Sequence, residues 1–275
     1  MNYRTVLITG GTSLLGRELA LIFLENNWRV YATTKSIRRL TNRIINEHLT
    51  YIEMNLENSK SVHKAIQKLI RNESKIDVLV NNAGFVLAGA FESYTEKQIR
   101  REMDVNFFGS LFTIKELLPT MKKNNAGCII NISSLCGLVC FPLFSMYHAS
   151  KWAIEGFSES LKYELTPFGI KVKLIEPGGI KDETYASKVE FGSLLVPEYE
   201  DYFNVVHKNT SWFPGFSTPK FVAKAVYHAA TDNTNQLRYI IGYDSNLFLQ
   251  ERNSNMDDET YIIKMTERIF GKNDN

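Results

Sequence analysis

Tyr147 and Lys151, in the run from Ser145 to Lys151 (Ser-Met-Tyr-His-Ala-Ser-Lys), stand four residues apart where the chain reads as a helix. That spacing projects both side chains from one face. A phenol exchanges protons poorly at neutral pH, with a reference pKa of about 10, and an adjacent ammonium favours the phenolate. Bringing that pKa toward ~7 takes roughly 4 kcal/mol. The pair can therefore act as an acid/base catalyst, but Tyr-x-x-x-Lys also occurs on many amphipathic helices, so its surroundings must decide. His148 projects about 100° away from its neighbour on a helix and is set aside.

Short runs rich in Val and Ile alternate with longer amphipathic segments as far as about residue 176, the signature of βαβ units. Strands are expected at 4 to 9, 29 to 33, 49 to 53, 76 to 81, 127 to 133, 171 to 176 and 238 to 242, with helices between them. Val78-Leu-Val and Cys128-Ile-Ile are apolar at consecutive positions, as befits strands covered on both faces. The fold class is thus α/β, a Rossmann-like doubly wound parallel sheet of about seven strands with helices on both faces. Long helices are expected from 95 to 123 and from 147 to 165, and a last one from 258 to 270. No linker or internal repeat divides the chain, so residues 1–275 are read as a single domain. Between Gly178 and about Ser217 the pattern loosens into scattered aromatics among turn residues, and the chain is polar after Gly242.

Composition excludes several classes. The chain has 275 residues, 44% hydrophobic, with 32 basic against 30 acidic side chains. A net charge of +2 without a dense basic tract gives no electrostatic footprint for nucleic acid. The start Met-Asn-Tyr-Arg enters an apolar strand at once, without a signal-peptide pattern, and no stretch reaches the ~18 to 20 apolar residues of a membrane span. A soluble, cytoplasmic protein is expected. Cys128, Cys136 and Cys140 lack CxxC or His spacing and read as free thiols, with neither disulfide nor metal site.

The first strand runs into Thr9-Gly10-Gly11-Thr12-Ser13-Leu14-Leu15-Gly16, where a helix begins. A glycine turn there lets the backbone approach a pyrophosphate while the helix N-terminus offers free amides, and Thr12 and Ser13 can add hydroxyls. A dinucleotide cofactor is expected. The second strand ends Val30-Tyr-Ala-Thr-Thr34-Lys35, without the acid that would bind the ribose 2′-hydroxyl of NAD. Lys35, helped by Arg38 or Arg39, suits a 2′-phosphate, so NADP is favoured over NAD.

Asn81-Asn-Ala-Gly84 closes the fourth strand and Asn131-Ile-Ser-Ser134 the fifth, while Tyr147 follows Ser134 by thirteen residues. This ordered set, with Thr-Gly-x5-Gly before it and Pro177-Gly178 after it, resembles the short-chain dehydrogenase/reductase superfamily, in its single-domain branch, from about residue 5 to 242. The resemblance implies that Tyr147 is the general acid or base, that Lys151 lowers its pKa and binds the nicotinamide ribose, and that Ser134 holds the substrate oxygen in preference to Ser133. Asn106, in Asp104-Val-Asn-Phe-Phe-Gly109, would position a water against the lysine in a proton relay. The cofactor contacts it implies are Gly10, Thr12, Ser13, Leu14, Leu15 and Gly16 at the phosphates, Thr34 and Lys35 at the adenosine ribose, and Asn55 and Leu56 at the adenine. Asn82, Ala83 and Gly84 would follow along the ribose, and Pro177, Gly178 and Ile180 the nicotinamide. Asn55 replaces a common Asp. Asp182 stands where Thr is frequent, with Thr184 as a substitute.

Leu14 departs most, since the single-domain pattern has Gly there and the larger sugar-nucleotide branch has it at Ser13. A leucine lacks glycine's freedom at positive φ and adds bulk near the phosphates, which would weaken cofactor binding. The aromatic and aliphatic residues between 182 and 216 suggest a lipophilic carbonyl or secondary alcohol as the small-molecule substrate. The two long helices resemble the pair through which relatives dimerise, implying a homodimer or homotetramer. The leading expectation is an NADP(H)-dependent oxidoreductase. The alternatives are a catalytically weak nucleotide-sensing or scaffold protein of this fold, and an epimerase or dehydratase of the larger branch.

Overall fold

Consecutive apolar residues along short strands dictate a sheet that must be covered on both faces. The structure, a computed structural model, describes residues 3–41, 43–181, 189–208 and 212–271. Seven strands form one sheet: β1 (Thr5–Ile8), β2 (Arg29–Thr34), β3 (Leu49–Glu53), β4 (Val78–Asn81), β6 (Gly127–Ile132), β7 (Ile170–Pro177) and β9 (Arg238–Ile241). Their order is β3-β2-β1-β4-β6-β7-β9, and every neighbouring pair is parallel. The direction of winding reverses between β1 and β4, so a crevice opens there at the C-terminal ends of the strands. A separate parallel pair joins β5 (Val86–Ala88) to β8 (Val189–Phe191).

Strand periodicity assigns the faces. Val6 and Ile8 point to one side, where they pack with Leu19 and Phe23 of α1 (Leu14–Glu25) and Val222 and Val226 of α7 (Pro219–Thr231). Leu7 points to the other, against Ile66 and Leu69 of α2 (Ser59–Asn72), Ile114 and Leu117 of α4 (Gly109–Lys123), and Leu161 of α5 (Ser145–Leu165). A third apolar cluster lies at the strand ends, where Leu135, Val139 and Phe141 meet Phe248 of α8 (Tyr243–Arg252) and Tyr261 and Met265 of α9 (Asp258–Phe270).

The expected strands are all present, their ends displaced by at most two residues, and the last helix lies where its periodicity placed it. The helix expected from 95 to 123 is instead three pieces. After α3 (Glu96–Met103), residues Asp104–Phe108 widen into a π-helical turn before α4 begins. Such a turn shifts the helical register locally, here around Asn106. Two helices in the loosely patterned or polar stretches, α6 (Glu200–Lys208) and α8, were not expected. Asp182, Thr184 and Tyr185, on which part of the substrate-segment expectation rests, lie outside the described residues. Among the described residues no helix is long and apolar enough to cross a membrane.

Under the C-terminal part of β7 lies a buried acid pair. Glu176 is fully buried and accepts a hydrogen bond from Tyr239 N at 2.8 Å, while Arg238 Nε stands 3.7 Å from its other oxygen and 3.2 Å from Glu155. Burial pushes the Glu176 carboxyl up to about 9, and Glu155 adds to the rise. A carboxyl raised in the folded state contributes stability that is complete below its unfolded pKa and is lost as pH climbs toward the folded one. Thermal denaturation should therefore show the melting temperature falling between about pH 5 and about pH 9. Glu176→Gln should fall less and gain on the order of 1–3 kcal/mol at about pH 8, or roughly 2–6 °C; parallel curves for the two proteins would refute this.

Candidate active site

The turn after β1 is shaped by close backbone approach. Gly10 takes φ +63°, and a Cβ there would stand 2.9 Å from Ala83 Cα. At Gly16 a Cβ would meet Gly10 O at 2.2 Å, so α1 can start flush against the turn only with glycine. Ser13 caps α1: its Oγ accepts from Gly16 N and donates to Gly10 O, both at 3.0 Å. Of the first helical amides this leaves those of Leu14 and Leu15 without an intrahelical acceptor, facing the crevice end of the sheet. The Ser13 hydroxyl, expected at the phosphates, is thus committed to the cap, whereas Thr12 is exposed. Leu14 is the first residue of α1 and has no positive φ, so the strain expected of it does not arise, although its side chain is 37% exposed beside the turn.

Asn82 binds this turn to the end of β4. Its Nδ2 donates to Thr9 O at 2.9 Å and Gly10 O at 3.2 Å, while Thr9 Oγ1 accepts from the Asn82 and Ala83 amides at 3.0 Å. Gly84 leaves room for Asn106, whose Oδ1 would lie 3.1 Å from an added Cβ. On the far side of the turn, Thr34 is buried at the end of β2 and Lys35 is exposed. Lys35 Nζ pairs with Glu57, which also accepts from Arg101 Nε at 3.4 Å, and Arg101 pairs in turn with Glu190 of β8. Asn55 Oδ1 accepts from Glu57 N at 3.2 Å, and Leu56 is buried against Gly109.

Tyr147 and Lys151 lie on one face of α5, as their spacing required, with Nζ 5.6 Å from the centre of the Tyr147 ring. Lys151 is 7% exposed and its Nζ donates to Ile132 O at 2.8 Å, next to Ser133 and Ser134. Burial brings its ammonium down to about 8, against the opposing pull of Glu102, Cys136 and Glu155. Ser134 Oγ accepts from Cys136 N at 3.1 Å and has a long, 3.5 Å contact to Pro177 O. Asn106 is buried in the π-helical turn, and its amide is spent on the chain after Gly84: Oδ1 accepts from Phe85 N at 3.0 Å and Nδ2 donates to Phe85 O at 2.9 Å. His148 is occupied at both nitrogens, with Nε2 accepting from Phe141 N and Nδ1 donating to Cys136 O, each at 2.8 Å.

Beyond Pro177 the chain turns on glycines. A Cβ at Gly178 would fall 1.8 Å from an Asp244 oxygen, and Asp244 Oδ2 accepts from Gly179 N at 2.6 Å. Ile180 pairs with Ser217, and the rings of Phe213 and Phe216 lie against Gly179. Phe213 continues into an aromatic group with Phe141, Trp212 and Phe248. A concavity of about 770 Å³ is lined by Phe216, Phe221, Tyr243 and their neighbours and includes neither Tyr147 nor Ser134. Sequence reasoning missed Glu57, Glu102 and Asp244. A lone acid on a polar helix carries no signal of burial, but the buried Asp244 follows the β9 strand within three residues, a position at the active end of every parallel sheet.

Residues 4–191 match the short chain dehydrogenase family model. The 3-ketodihydrosphingosine reductase of Bacteroides thetaiotaomicron is 38% identical over 206 residues, which are 74% of this chain and 72% of that protein. A short-chain dehydrogenase from Streptomyces avermitilis superposes with a TM-score of 0.84 at 27% identity, covering 98% of this chain and 97% of its own. The structure of ElxO with NADP bound gives a TM-score of 0.74 at 28% identity, covering 88% and 99%. Since the family match runs unbroken through the glycine turn, Ser134 and the helix of Tyr147 and Lys151, and a structural relative superposes over nearly the full length, this chain belongs to the short-chain dehydrogenase family of oxidoreductases.

Proposed function

We propose that the protein is an NADP(H)-dependent oxidoreductase that interconverts a lipophilic carbonyl compound and its secondary alcohol. One observation carries the reading: a buried ammonium, Lys151, is anchored on Ile132 O beside the Tyr147 ring, at the crevice end of the sheet and next to Ser134. An ammonium so placed stabilises a phenolate that has given up its proton.

The residues present fit a dinucleotide. The Gly10 to Gly16 turn is free of side chains where the backbone approaches Ala83, and the Leu14 and Leu15 amides suit a pyrophosphate, with Thr12 beside them. Thr34 and Lys35 would hold the adenosine ribose and its 2′-phosphate, Asn55 and Leu56 the adenine, and Asn82, Ala83 and Gly84 the path between. Pro177, Gly178 and Ile180 would flank the nicotinamide, which when bound supplies or takes up the hydride. Tyr147 donates its Oη proton to the carbonyl oxygen in reduction, and in oxidation its phenolate takes the proton back. Ser134 Oγ, whose hydrogen has just a long contact to Pro177 O, turns to hold that oxygen. Asn106 supports the relay by fixing the Phe85 turn against α5.

The aromatic group around Phe141, Phe213 and Phe248, adjacent to Gly179, supports a lipophilic substrate, as does the similarity to a reductase of 3-ketodihydrosphingosine. Exposed Phe108, Phe112 and Trp152 on and beside α4 and α5 support association as a homodimer or homotetramer. NADP is preferred to NAD because Lys35 can leave Glu57, which keeps Arg101, at a cost within the ~0–1 kcal/mol of an exposed ion pair.

Two outcomes are expected. With NADPH and a panel of lipophilic ketones, Tyr147→Phe should lower turnover by on the order of 10²–10⁴ while leaving NADPH binding within about twofold; retained turnover would refute the proton-transfer role. In equilibrium titrations Lys35→Ala should weaken NADPH about tenfold and leave NADH alone, and Glu57→Gln should tighten NADPH about two- to fivefold. Equal effects on both cofactors would remove the 2′-phosphate assignment.

A further inference from the structure

Glu102 is a carboxyl with 0% exposure in the last turn of α3, and nothing in the proton transfer described above accounts for it. Its Oε1 accepts from Asn106 Nδ2 at 2.9 Å, and its Oε2 has no hydrogen-bond partner among the described residues. Asn106 Nδ2 has two hydrogens for three acceptors: Phe85 O, Glu102 Oε1, both at 2.9 Å, and Ser150 Oγ at 3.2 Å. The carbonyl and the carboxylate are the closer pair and take them. Ser150 Oγ, released from accepting, donates to Tyr147 O at 2.8 Å. Glu102 is thus bonded to Asn106, and Ser150, 3.2 Å from the same amide, is tied to the backbone of the tyrosine.

A buried carboxylate needs a countercharge, and so does a buried ammonium. Lys151 and Glu102 can serve each other in that role. Burial raises the Glu102 carboxyl and lowers the Lys151 ammonium, and in each case the strongest opposing influence is the charge of the other group. The remaining charged and titratable groups around them are Glu190 of β8 and Arg101 of α3 at Glu102, and Cys136 and Glu155 at Lys151. Tyr94 also senses the Glu102 charge, with its hydroxyl held by Gly89 O at 2.7 Å.

We infer that Glu102 is a positioning residue for the Tyr147 and Lys151 pair, its carboxylate keeping the Lys151 ammonium charged while it orients the Asn106 amide. The inference rests on the proton-transfer reading of that pair. Glu102→Gln separates the two effects, because a glutamine oxygen still accepts from Asn106 whereas its charge is gone. Without that charge Lys151 must lose its proton at lower pH.

The test is an NMR titration of 13C-labelled lysine side chains in the full chain, with the Lys151 signal identified by its loss in Lys151→Met. The wild-type signal should titrate near 8, and in Glu102→Gln the midpoint should drop by roughly one pH unit. The alkaline limb of kcat/KM for carbonyl reduction should move the same way. A Lys151 midpoint that does not move overturns the inference, since a merely structural role would leave it in place. If melting curves show that Glu102→Gln is unfolded, Glu102→Asp, which draws the charge back by one methylene, should give a smaller shift of the same sign, and no shift overturns the inference. The titration is read without turnover, so a protein that reduces no carbonyl refutes the functional reading separately.

Discussion

Burying the ammonium of Lys151 is the constraint around which this structure is arranged. A charge with 7% exposure requires acceptors and countercharges at fixed positions, and the fold brings them from β6, α3 and α5. Ile132 O at the end of β6 takes one hydrogen, and carboxylates of α3 and α5 supply the field. The π-helical turn at Asp104–Phe108 belongs to the same arrangement. Within it Asn106 reaches Phe85, Glu102 and Ser150 together. A Cβ at Gly84 would crowd Asn106 Oδ1 at 3.1 Å, so the glycine eases its seat there.

The opposite wall of the crevice obeys steric rather than electrostatic demands. Gly10 and Gly16 permit the turn after β1 to lie against Ala83 and against itself, and Asn82 ties it to β4 with hydrogen bonds from both backbone and side chain. A chain of ion pairs, Lys35 with Glu57, Glu57 with Arg101 and Arg101 with Glu190, connects this wall to β8. The pairs are partly exposed, so each is weak and exchangeable. Under the proposed NADP reading, that leaves Lys35 available to a 2′-phosphate without standing alone in its absence.

The sheet was legible in the sequence because its signal is local: consecutive Val, Leu and Ile residues at strand length, with glycine and asparagine at the ends. Tyr147, Lys151 and Ser134 were legible for a related reason, since helix spacing and the order of short motifs both survive in one dimension. Glu102 was not, because Lys-Gln-Ile-Arg-Arg-Glu reads as a solvated helical face, and only the packing of α3 against α5 and β5 buries its last residue. Asp244 was hidden in a polar stretch whose helix, α8, has little amphipathic contrast to announce it. Leu14 was misjudged in its backbone because the left-handed position in the turn belongs to Gly10, four residues earlier. The hydroxyl of Ser13, expected at the phosphates, accepts from Gly16 N as the cap of α1.

The central claim is that the Lys151 charge acts on the Tyr147 phenol. It is tested most directly by following tyrosinate absorbance against pH, taking the difference between each protein and its Tyr147→Phe counterpart so that Tyr147 alone is observed. The account predicts that Tyr147 ionises at distinctly lower pH in the wild type than in Lys151→Met; coincident titrations in the two proteins would contradict it.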